Sequence, residues 1–229
     1  VGQYSASMNY DAIIFDCDGV LINSEPIAVA ILVDDLLEIG LRISEEEVHH
    51  RFTGWKSTQI AEIASAETGV PVPDGWVRRH VDRVSDAVAA PVEPIPGILA
   101  VLDALDSTGV PWGVASQSGL AYLERALGRV GIWERAAGRV ASSQIVANPK
   151  PAPDVYLKAM ELVGVPGHHS IVVEDSPTGV RAGVAAGARV IGYASDREPH
   201  VLIGAGASHT VGAMADLHDL LGLSRPVPA

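Results

Sequence analysis

The chain has 229 residues, a formal net charge of −12 and one cysteine, Cys17. A chain of this length buries roughly 70% of its unfolded surface, so it can form a large core without disulfides. The acidic balance excludes a general nucleic-acid-binding surface, which needs clustered lysines and arginines. The sequence has no basic block and no apolar run of 18 residues, and we therefore expect a cytoplasmic protein with no membrane partner.

Short apolar runs alternate with helical stretches along most of the chain. The runs that predict buried strands lie at 12–15, 111–116, 170–175 and 189–193, with weaker ones at 138–142 and 209–211. Helical periodicity with a closing glycine is found at 97–109, 119–131, 152–164 and 176–187. This alternation predicts an α/β fold with a parallel sheet and helices on both of its faces.

The alternation is interrupted between about Asn23 and Glu93. Helical stretches follow one another there without a strand, at 24–40, from 44 onwards, at 57–68 and at 74–89. The second begins with a capping box formed by Ser44 and Glu47. We therefore predict an inserted all-helical domain, residues 23–94, within a core domain formed by residues 8–22 and 95–229.

The first predicted strand ends in two aspartates, within the stretch IIFDCDGVLINSEP (13–26). At a separation of about 4 Å, two such carboxylates repel each other by roughly 1 kcal/mol in water and about 4 kcal/mol near a protein surface. Asp16 and Asp18 therefore need a metal ion or a proton between them, unless they form an exposed acidic turn. Gly19 follows at once and permits a turn that a side chain would hinder.

Other polar residues come at the ends of two further strands and on one loop. Ser116 ends a strand and Gln117 opens the next helix, so a hydroxyl and free N–H groups form an anion site there, unless Ser116 simply caps the helix. Lys150 lies between two prolines that stiffen its loop, or is a surface lysine in a turn. Glu174 and Asp175 end another strand. Because ligands bind at the carboxyl ends of parallel strands, we expect these groups to meet.

Acids, a lysine and an anion site together predict phosphate chemistry with a metal. A site with only a few protein ligands, all of them oxygens, suits Mg²⁺, which keeps several of its water ligands and also binds phosphate oxygens. Asp16 is the expected nucleophile, forming an aspartyl-phosphate, and Asp18 the general acid and base. Lys150 and Ser116 would stabilise the charged phosphate oxygens, and Gly19 would leave room for the phosphate.

The order of these motifs resembles that of the haloacid dehalogenase superfamily of aspartate-dependent phosphohydrolases. The matching segments are DCDGV, the Ser116 of VAS, the Lys150 of PKPAPD and EDSPTG. The resemblance implies a Rossmann-like core, a helical cap domain after the first motif, and Mg²⁺. It implies that Asp16 is nucleophile and metal ligand, and that the main-chain oxygen of Asp18 also binds the metal. Asp175 would complete the protein ligands, with Glu174 supporting them directly or through water.

The stretches FDCDGVLINSE and VVEDSPTGVRAG are most similar to the branch with sugar-phosphate phosphatases, phosphoglycolate phosphatase and β-phosphoglucomutase. The resemblance therefore implies a phosphatase acting on a small phosphorylated metabolite, a sugar or sugar-acid phosphate. A mutase is the alternative, but its cap histidine and arginine correspond by ungapped count to Ala28 and Ser57. Trp55 and Lys56, on a turn of the cap, are candidates for substrate selection; the alternative is a solvated lysine beside a packed tryptophan.

Two other functions fit the motifs less well. Dehalogenases of the superfamily lack the second aspartate, because displacement of halide needs no proton donor. A signalling receiver also combines acids, a hydroxyl and a lysine on a similar sheet. It needs neither a general acid at Asp18 nor a helical lid some 70 residues long.

Overall fold

The computed structural model describes residues 10–52, 55–87, 92–195 and 197–223. Residues 8–9 of the predicted core, residues 88–89 of the last predicted cap helix and residues 90–91 lie outside the described residues. The chain divides into two compact units, one of Val1–Asn23 with Glu93–Ala229 and one of Ser24–Val92. Each unit has a hydrophobic core of its own.

The strands of the described residues belong to two sheets. In chain order they are β1 (Ala12–Phe15), β2 (Ile22–Asn23), β3 (Glu93–Pro94), β4 (Trp112–Ser116), β5 (Val140–Ser142), β6 (Ser170–Glu174), β7 (Arg189–Tyr193) and β8 (His209–Val211). The large sheet has the order β5-β4-β1-β6-β7-β8 and every neighbouring pair in it is parallel. The predicted α/β fold is confirmed, and all six strands read from the sequence are present.

Strand β1 lies inside the large sheet, between β4 and β6. Phe15, its last residue, is in register with Val114 of β4 and Val173 of β6. Residues that follow these three strands therefore emerge side by side at one edge. All four residues of β1 are fully buried, as expected for a strand covered on both faces.

The described residues form ten α-helices, of which the first eight lie within the predicted helical stretches. They are α1 (Glu25–Glu38), α2 (Glu45–Phe52), α3 (Ser57–Thr68), α4 (Trp76–Ala87), α5 (Ile98–Thr108), α6 (Leu120–Arg129), α7 (Asp154–Val163), α8 (Pro177–Ala185), α9 (Pro199–Ala205) and α10 (Ala215–Leu221). Helices α7 and α8 pack on one face of the sheet. Their Tyr156, Met160 and Val180 join Ile14 and Val172 of the strands in one buried cluster. Each large aliphatic side chain buried in this way contributes about 1.5–3 kcal/mol.

Some elements could not be read from the sequence. Strands β2 and β3 form an antiparallel pair, Ile22 opposite Pro94 and Asn23 opposite Glu93. Two-residue strands are too short to show a period of two. Helices α9 and α10, seven residues each, were also not predicted.

The second unit consists of helices α1 to α4, with no strand among its described residues. Leu36, Phe52, Ile60 and Trp76 come from the four different helices and are buried together. The capping box at the start of α2 is confirmed: the Glu47 N–H donates to the Ser44 Oγ (3.2 Å) and the Ser44 N–H to the Glu47 Oε2 (3.1 Å). Within the described ranges, no helix of either unit is long and apolar enough to cross a membrane.

Candidate active site

Asp16 directly follows β1 and is only 7% exposed. Its N–H donates to the carbonyl oxygen of Val173 (3.0 Å), which extends the pairing of β1 with β6 by one residue. Burial raises the pKa of the Asp16 carboxyl group to about 7, with the ammonium of Lys150 acting against this shift and the carboxylate of Glu174 adding to it. Asp16 is therefore an acid poised near neutrality at the edge of the sheet.

Lys150 brings a buried positive charge to the same place. Its Nζ donates to the Asp16 Oδ1 (2.5 Å), the Glu174 Oε1 (2.9 Å) and the hydroxyl of Tyr156 (3.0 Å). Burial lowers the pKa of an ammonium group, but the carboxylates of Asp16 and Glu174 outweigh it and hold the Lys150 pKa well above its usual value. Lys150 is therefore a fixed cation shared by two acids rather than a surface lysine.

Glu174, at the end of β6, has donors on both carboxylate oxygens. Its Oε1 accepts from Lys150 and from the hydroxyl of Tyr156 (3.1 Å), while its Oε2 accepts from the N–H (2.7 Å) and the Oγ (3.0 Å) of Ser176. Gly179, in the first turn of α8, has no side chain where a Cβ would overlap this carboxylate. The surrounding groups thus hold Glu174 in one orientation, with Lys150 and Tyr156 at one carboxylate oxygen and Ser176 at the other.

Asp175, the next residue, completes a group of three acids. Asp16, Glu174 and Asp175 each offer a carboxylate oxygen, and these oxygens lie within 4.8 Å of one another. Burial raises the pKa of Asp175 well above its usual value, and the charges of Glu174 and Asp16 raise it further. Three carboxylates this close together fit a divalent cation, and an all-oxygen donor set suits Mg²⁺.

Gly19 allows Asp175 to approach the turn after β1. It has a φ of +82°, in the left-handed region, and a Cβ at this position would lie 2.9 Å from the Asp175 Cγ. A side chain at residue 19 would therefore push Asp175 away from Asp16.

Asp18 is held by two hydroxyl groups, that of Ser118 just before α6 and that of Tyr122 in the first turn of α6. The Ser118 Oγ donates to the Asp18 Oδ2 (3.0 Å), and the Tyr122 hydroxyl donates to the Oδ1. Asp18 is half-buried and Tyr122 is 8% exposed. The second aspartate thus points towards α6 and is separate from the three-carboxylate group.

Ser116 is the last residue of β4, and Gln117 follows it in the turn before α6. The Oγ of Ser116 accepts the Ser118 N–H (3.0 Å), a bond within the turn that follows β4. The N-cap of α6 is Gly119, so Ser116 is not the cap of this helix. A hydroxyl that accepts one hydrogen bond can still donate another, which keeps it available to an anion. The Gln117 Oε1 accepts the Lys150 N–H (3.2 Å), so this side chain holds the lysine loop.

Trp55 and Lys56 belong to the helical unit and precede α3. Both are exposed, Trp55 to 48%, so this tryptophan is not packed into the core of its unit. The Trp55 N–H donates to the carbonyl of Phe52 (2.9 Å), and the Lys56 N–H to the Gln59 Oε1 (3.2 Å).

Four residues of the site were not singled out from the sequence: Ser118, Tyr122, Tyr156 and Gly179. Tyr122 follows Ser118 by four residues, a spacing that places both on one face of a helix and that could have identified the pair. Tyr156 lies in the predicted helix 152–164, but the apolar periodicity of that stretch gives no indication of a role for its hydroxyl. Gly179 lies within EDSPTG, yet only its contact with Glu174 shows why a glycine stands there.

A scan against protein families gives a match to the family described as haloacid dehalogenase-like hydrolase over residues 13–193. Among curated proteins, the chain is 30% identical over 194 residues to 6-phosphogluconate phosphatase of Escherichia coli K12, covering 83% of this chain and 84% of that protein. It is 29% identical over 204 residues to Protein SUPPRESSOR OF QUENCHING 1, chloroplastic, of Arabidopsis thaliana, covering 86% of this chain but only 19% of that longer protein.

Solved structures share the fold along almost the whole chain. A conserved haloacid dehalogenase-like protein of unknown function from Agrobacterium tumefaciens is 32% identical with a TM-score of 0.82, covering 93% of this chain and 98% of its own. A HAD family hydrolase from Deinococcus radiodurans R1, solved with bound phosphate and sodium, is 28% identical with a TM-score of 0.80, covering 95% and 99%. With the family match spanning both the acidic turn and the lysine loop, the chain belongs to the haloacid dehalogenase-like hydrolase family, as a phosphomonoesterase.

Proposed function

We propose that the chain is a Mg²⁺-dependent phosphatase that hydrolyses a small phosphorylated metabolite, a sugar or sugar-acid phosphate, through an aspartyl-phosphate on Asp16. The observation that carries the proposal is the position of Lys150, whose ammonium contacts Asp16 within a group of three buried carboxylates. A cation that contacts the expected nucleophile can also contact the oxygens of a phosphate bound beside it. The similarity to 6-phosphogluconate phosphatase supports a sugar-acid phosphate as the substrate class.

In the first half of the reaction, an Asp16 carboxylate oxygen attacks phosphorus. The bond from phosphorus to the ester oxygen breaks as the Asp16–phosphorus bond forms, and the proton of the Asp18 carboxyl group passes to the departing oxygen. In the second half, Asp18 takes a proton from a water molecule. The oxygen of that water attacks phosphorus, and the bond to Asp16 breaks, which releases phosphate and restores the carboxylate.

The metal would be held by the side chains of Asp16 and Asp175 and by the main-chain oxygen of Asp18. Mg²⁺ at this position supplies positive charge, which lowers the repulsion between the carboxylates and the phosphate. Glu174 has four donors from the protein itself, so we assign to it the support of Lys150 and, through water, of the metal. All the proposed protein ligands of the metal are thus oxygen atoms, as Mg²⁺ prefers.

The phosphate would be bound by Lys150, by the hydroxyl of Ser116 and by the main chain at Gln117 and Gly19. Gln117 acts through its backbone, because its side-chain oxygen already accepts the Lys150 N–H. Gly19 permits the backbone to approach closely, which a side chain would prevent. Backbone N–H groups and a fixed ammonium stabilise the equatorial oxygens, where most of the catalysis of phosphoryl transfer arises.

Trp55 and Lys56 are proposed to contribute to the choice of substrate, since an exposed ring and a cation can bind a polyhydroxyl or acidic group. The change Lys56→Ala is expected to raise KM for the preferred sugar-acid phosphate and to leave p-nitrophenyl phosphate unaffected. Equal effects on both compounds would show that this lysine does not select the substrate.

The test of the proposal is a screen of phosphorylated metabolites, 6-phosphogluconate among them, for phosphate release with and without Mg²⁺. Asp16→Asn should abolish release, and Asp18→Asn should slow it most for esters with poor leaving groups. Asp11→Asn is the matched control, because this exposed residue lies at the opposite end of β1 and pairs with His169. Phosphate release by the Asp16→Asn protein would exclude Asp16 as the nucleophile.

A mutase is not favoured, because the relatives reported above include a phosphatase. Conversion between glucose 1-phosphate and glucose 6-phosphate should be assayed in the same screen. Interconversion faster than phosphate release would reverse this order of preference.

A further inference from the structure

Both carboxylate oxygens of Asp18 accept a hydrogen bond from a side-chain hydroxyl of the same short segment. Ser118 donates to one oxygen (3.0 Å) and Tyr122 to the other. A carboxylate bound at both oxygens by two separate donors has its plane fixed as well as its position. This arrangement differs from the contacts of Asp16 and Glu174, which share the ammonium of Lys150.

Two buried serines in turn fix the main chain of Ser118, and a helix carries Tyr122. Ser118 donates its N–H to the Ser116 Oγ (3.0 Å), and its carbonyl oxygen accepts from the Ser142 Oγ (2.7 Å). Ser116 and Ser142 are the last residues of β4 and β5, and both are buried. Tyr122, one helical turn after Ser118, is buried on α6 beside Leu123. The pair is thus connected to two strand ends and one helix.

We propose that Ser118 and Tyr122 are positioning residues that hold the Asp18 carboxyl group in the orientation needed for proton transfer to the leaving oxygen. The inference rests on the proposed function, because it assigns a use to Asp18 in that reaction. The proton passes from Asp18 to the ester oxygen as the phosphorus–oxygen bond breaks and the Asp16–phosphorus bond forms. The two hydroxyls donate no proton to the substrate; they keep the donor aligned, and alignment is a large part of the efficiency of such a transfer.

The proposal makes a specific statement about leaving groups. A p-nitrophenolate ion departs without a proton, whereas the more basic phenolate of phenyl phosphate benefits from one. The ratio kcat/KM covers the reaction only up to the first irreversible step, here phosphorus–oxygen cleavage, and excludes hydrolysis of the aspartyl-phosphate. Loss of alignment at Asp18 therefore lowers kcat/KM for phenyl phosphate much more than for p-nitrophenyl phosphate.

The experiment compares Tyr122→Phe and Ser118→Ala with the wild-type protein on these two esters in Mg²⁺. Tyr122→Phe should lower kcat/KM about tenfold for phenyl phosphate and less than about threefold for p-nitrophenyl phosphate. The larger effect is still smaller than the 10²–10⁴-fold typical of general acid catalysis, because the acid itself remains in place. Tyr10→Phe is the matched control: it removes a tyrosine hydroxyl that donates to the Leu221 carbonyl (2.9 Å), next to the opposite end of β1. This control should leave the ratio of the two kcat/KM values unchanged.

A double variant distinguishes the positioning of Asp18 from a purely structural role of Tyr122. In an Asp18→Asn background, Tyr122→Phe should have no further effect on the ratio, since the group that it positions is gone. An equal loss on both esters, or a loss that persists without Asp18, would overturn the inference while the phosphatase function stands. Absence of turnover of every phosphomonoester by the wild-type protein would instead remove the proposed function, and the inference with it. Ser118→Ala gives the same comparison should Tyr122→Phe not fold.

Discussion

The ammonium of Lys150 lies 2.5 Å from the Oδ1 of Asp16, although the two residues are 134 positions apart in the chain. Both side chains are almost completely buried, so that neither charge is screened by water. A buried charge without a partner is strongly destabilising, and Lys150 and Asp16 are each other's partners. The stability of the core unit and the chemistry of the site therefore depend on the same pair.

Replacement of Lys150 by methionine is expected to destabilise the protein by about 3–5 kcal/mol at pH 8, because two buried carboxylates lose their shared cation. Urea unfolding monitored by circular dichroism measures this change, and phosphate release should be lost as well. Lys158→Met is the control, since Lys158 is a more exposed residue that pairs with Glu161 (2.7 Å) on the surface of α7. That variant should stay within about 0.5 kcal/mol of the wild type. Equal stability of the two variants would contradict a buried ionic role for Lys150.

Stability without metal is expected to increase as the pH falls from 8 towards 5. The folded-state pKa of Asp16 is about 7, above the value of about 3.9 for an unfolded chain, so the folded state binds this proton more tightly. Stability contributed by that proton is present below about pH 4 and is lost as the pH rises to about 7. Unfolding midpoints in EDTA across this range measure the effect, and Asp16→Asn should flatten the profile. A wild-type profile as flat as that of Asp16→Asn would show that this carboxyl group does not titrate as described.

Addition of Mg²⁺ should stabilise the folded protein at pH 8, because a cation bound only by the native state shifts the unfolding equilibrium. The gain is about 2.7 kcal/mol at a concentration a hundred times Kd. Asp175→Asn should lose most of this gain, since it removes one of the three clustered carboxylates. Sodium chloride at equal ionic strength serves as the control for screening. A similar gain with sodium chloride would mean that the cluster binds no specific divalent ion.

The position of the site at one sheet edge follows directly from the sequence pattern. Asp16 and Ser116 lie at the ends of runs that read as buried parallel strands, and such strand ends must meet. The loop that carries Lys150 is expected at the same edge, because a group of acids attracts a positive charge. Sequence pattern alone therefore predicts which segments assemble.

The side-chain contacts within the site could not be predicted in this way. Whether the hydroxyl of Tyr156 reaches Glu174 depends on how α7 is rotated about its axis against the sheet. The bonds from Ser118 and Tyr122 to Asp18 similarly require the entry angle of α6, which the turn after β4 determines. These are properties of long-range packing, and apolar periodicity carries no information about them.

The contact between Gly179 and Glu174 leads to a prediction about a residue that touches no substrate. Gly179→Ala would place a Cβ on the Glu174 carboxylate, which must then shift and release some of its bonds to Lys150 and Ser176. We expect a loss of about 1–3 kcal/mol from overpacking and a fall in kcat, measured by urea unfolding and phosphate release.

The matched control for this prediction is Gly128→Ala on α6. Gly128 is also helical, but a Cβ there meets nothing within 4 Å. Alanine should therefore stabilise this helix by about 0.5–1 kcal/mol through its lower backbone entropy, with activity unchanged. Gain of stability in both variants would show that Glu174 has room to move. The buried network around Lys150 would then tolerate displacement of one of its two acids.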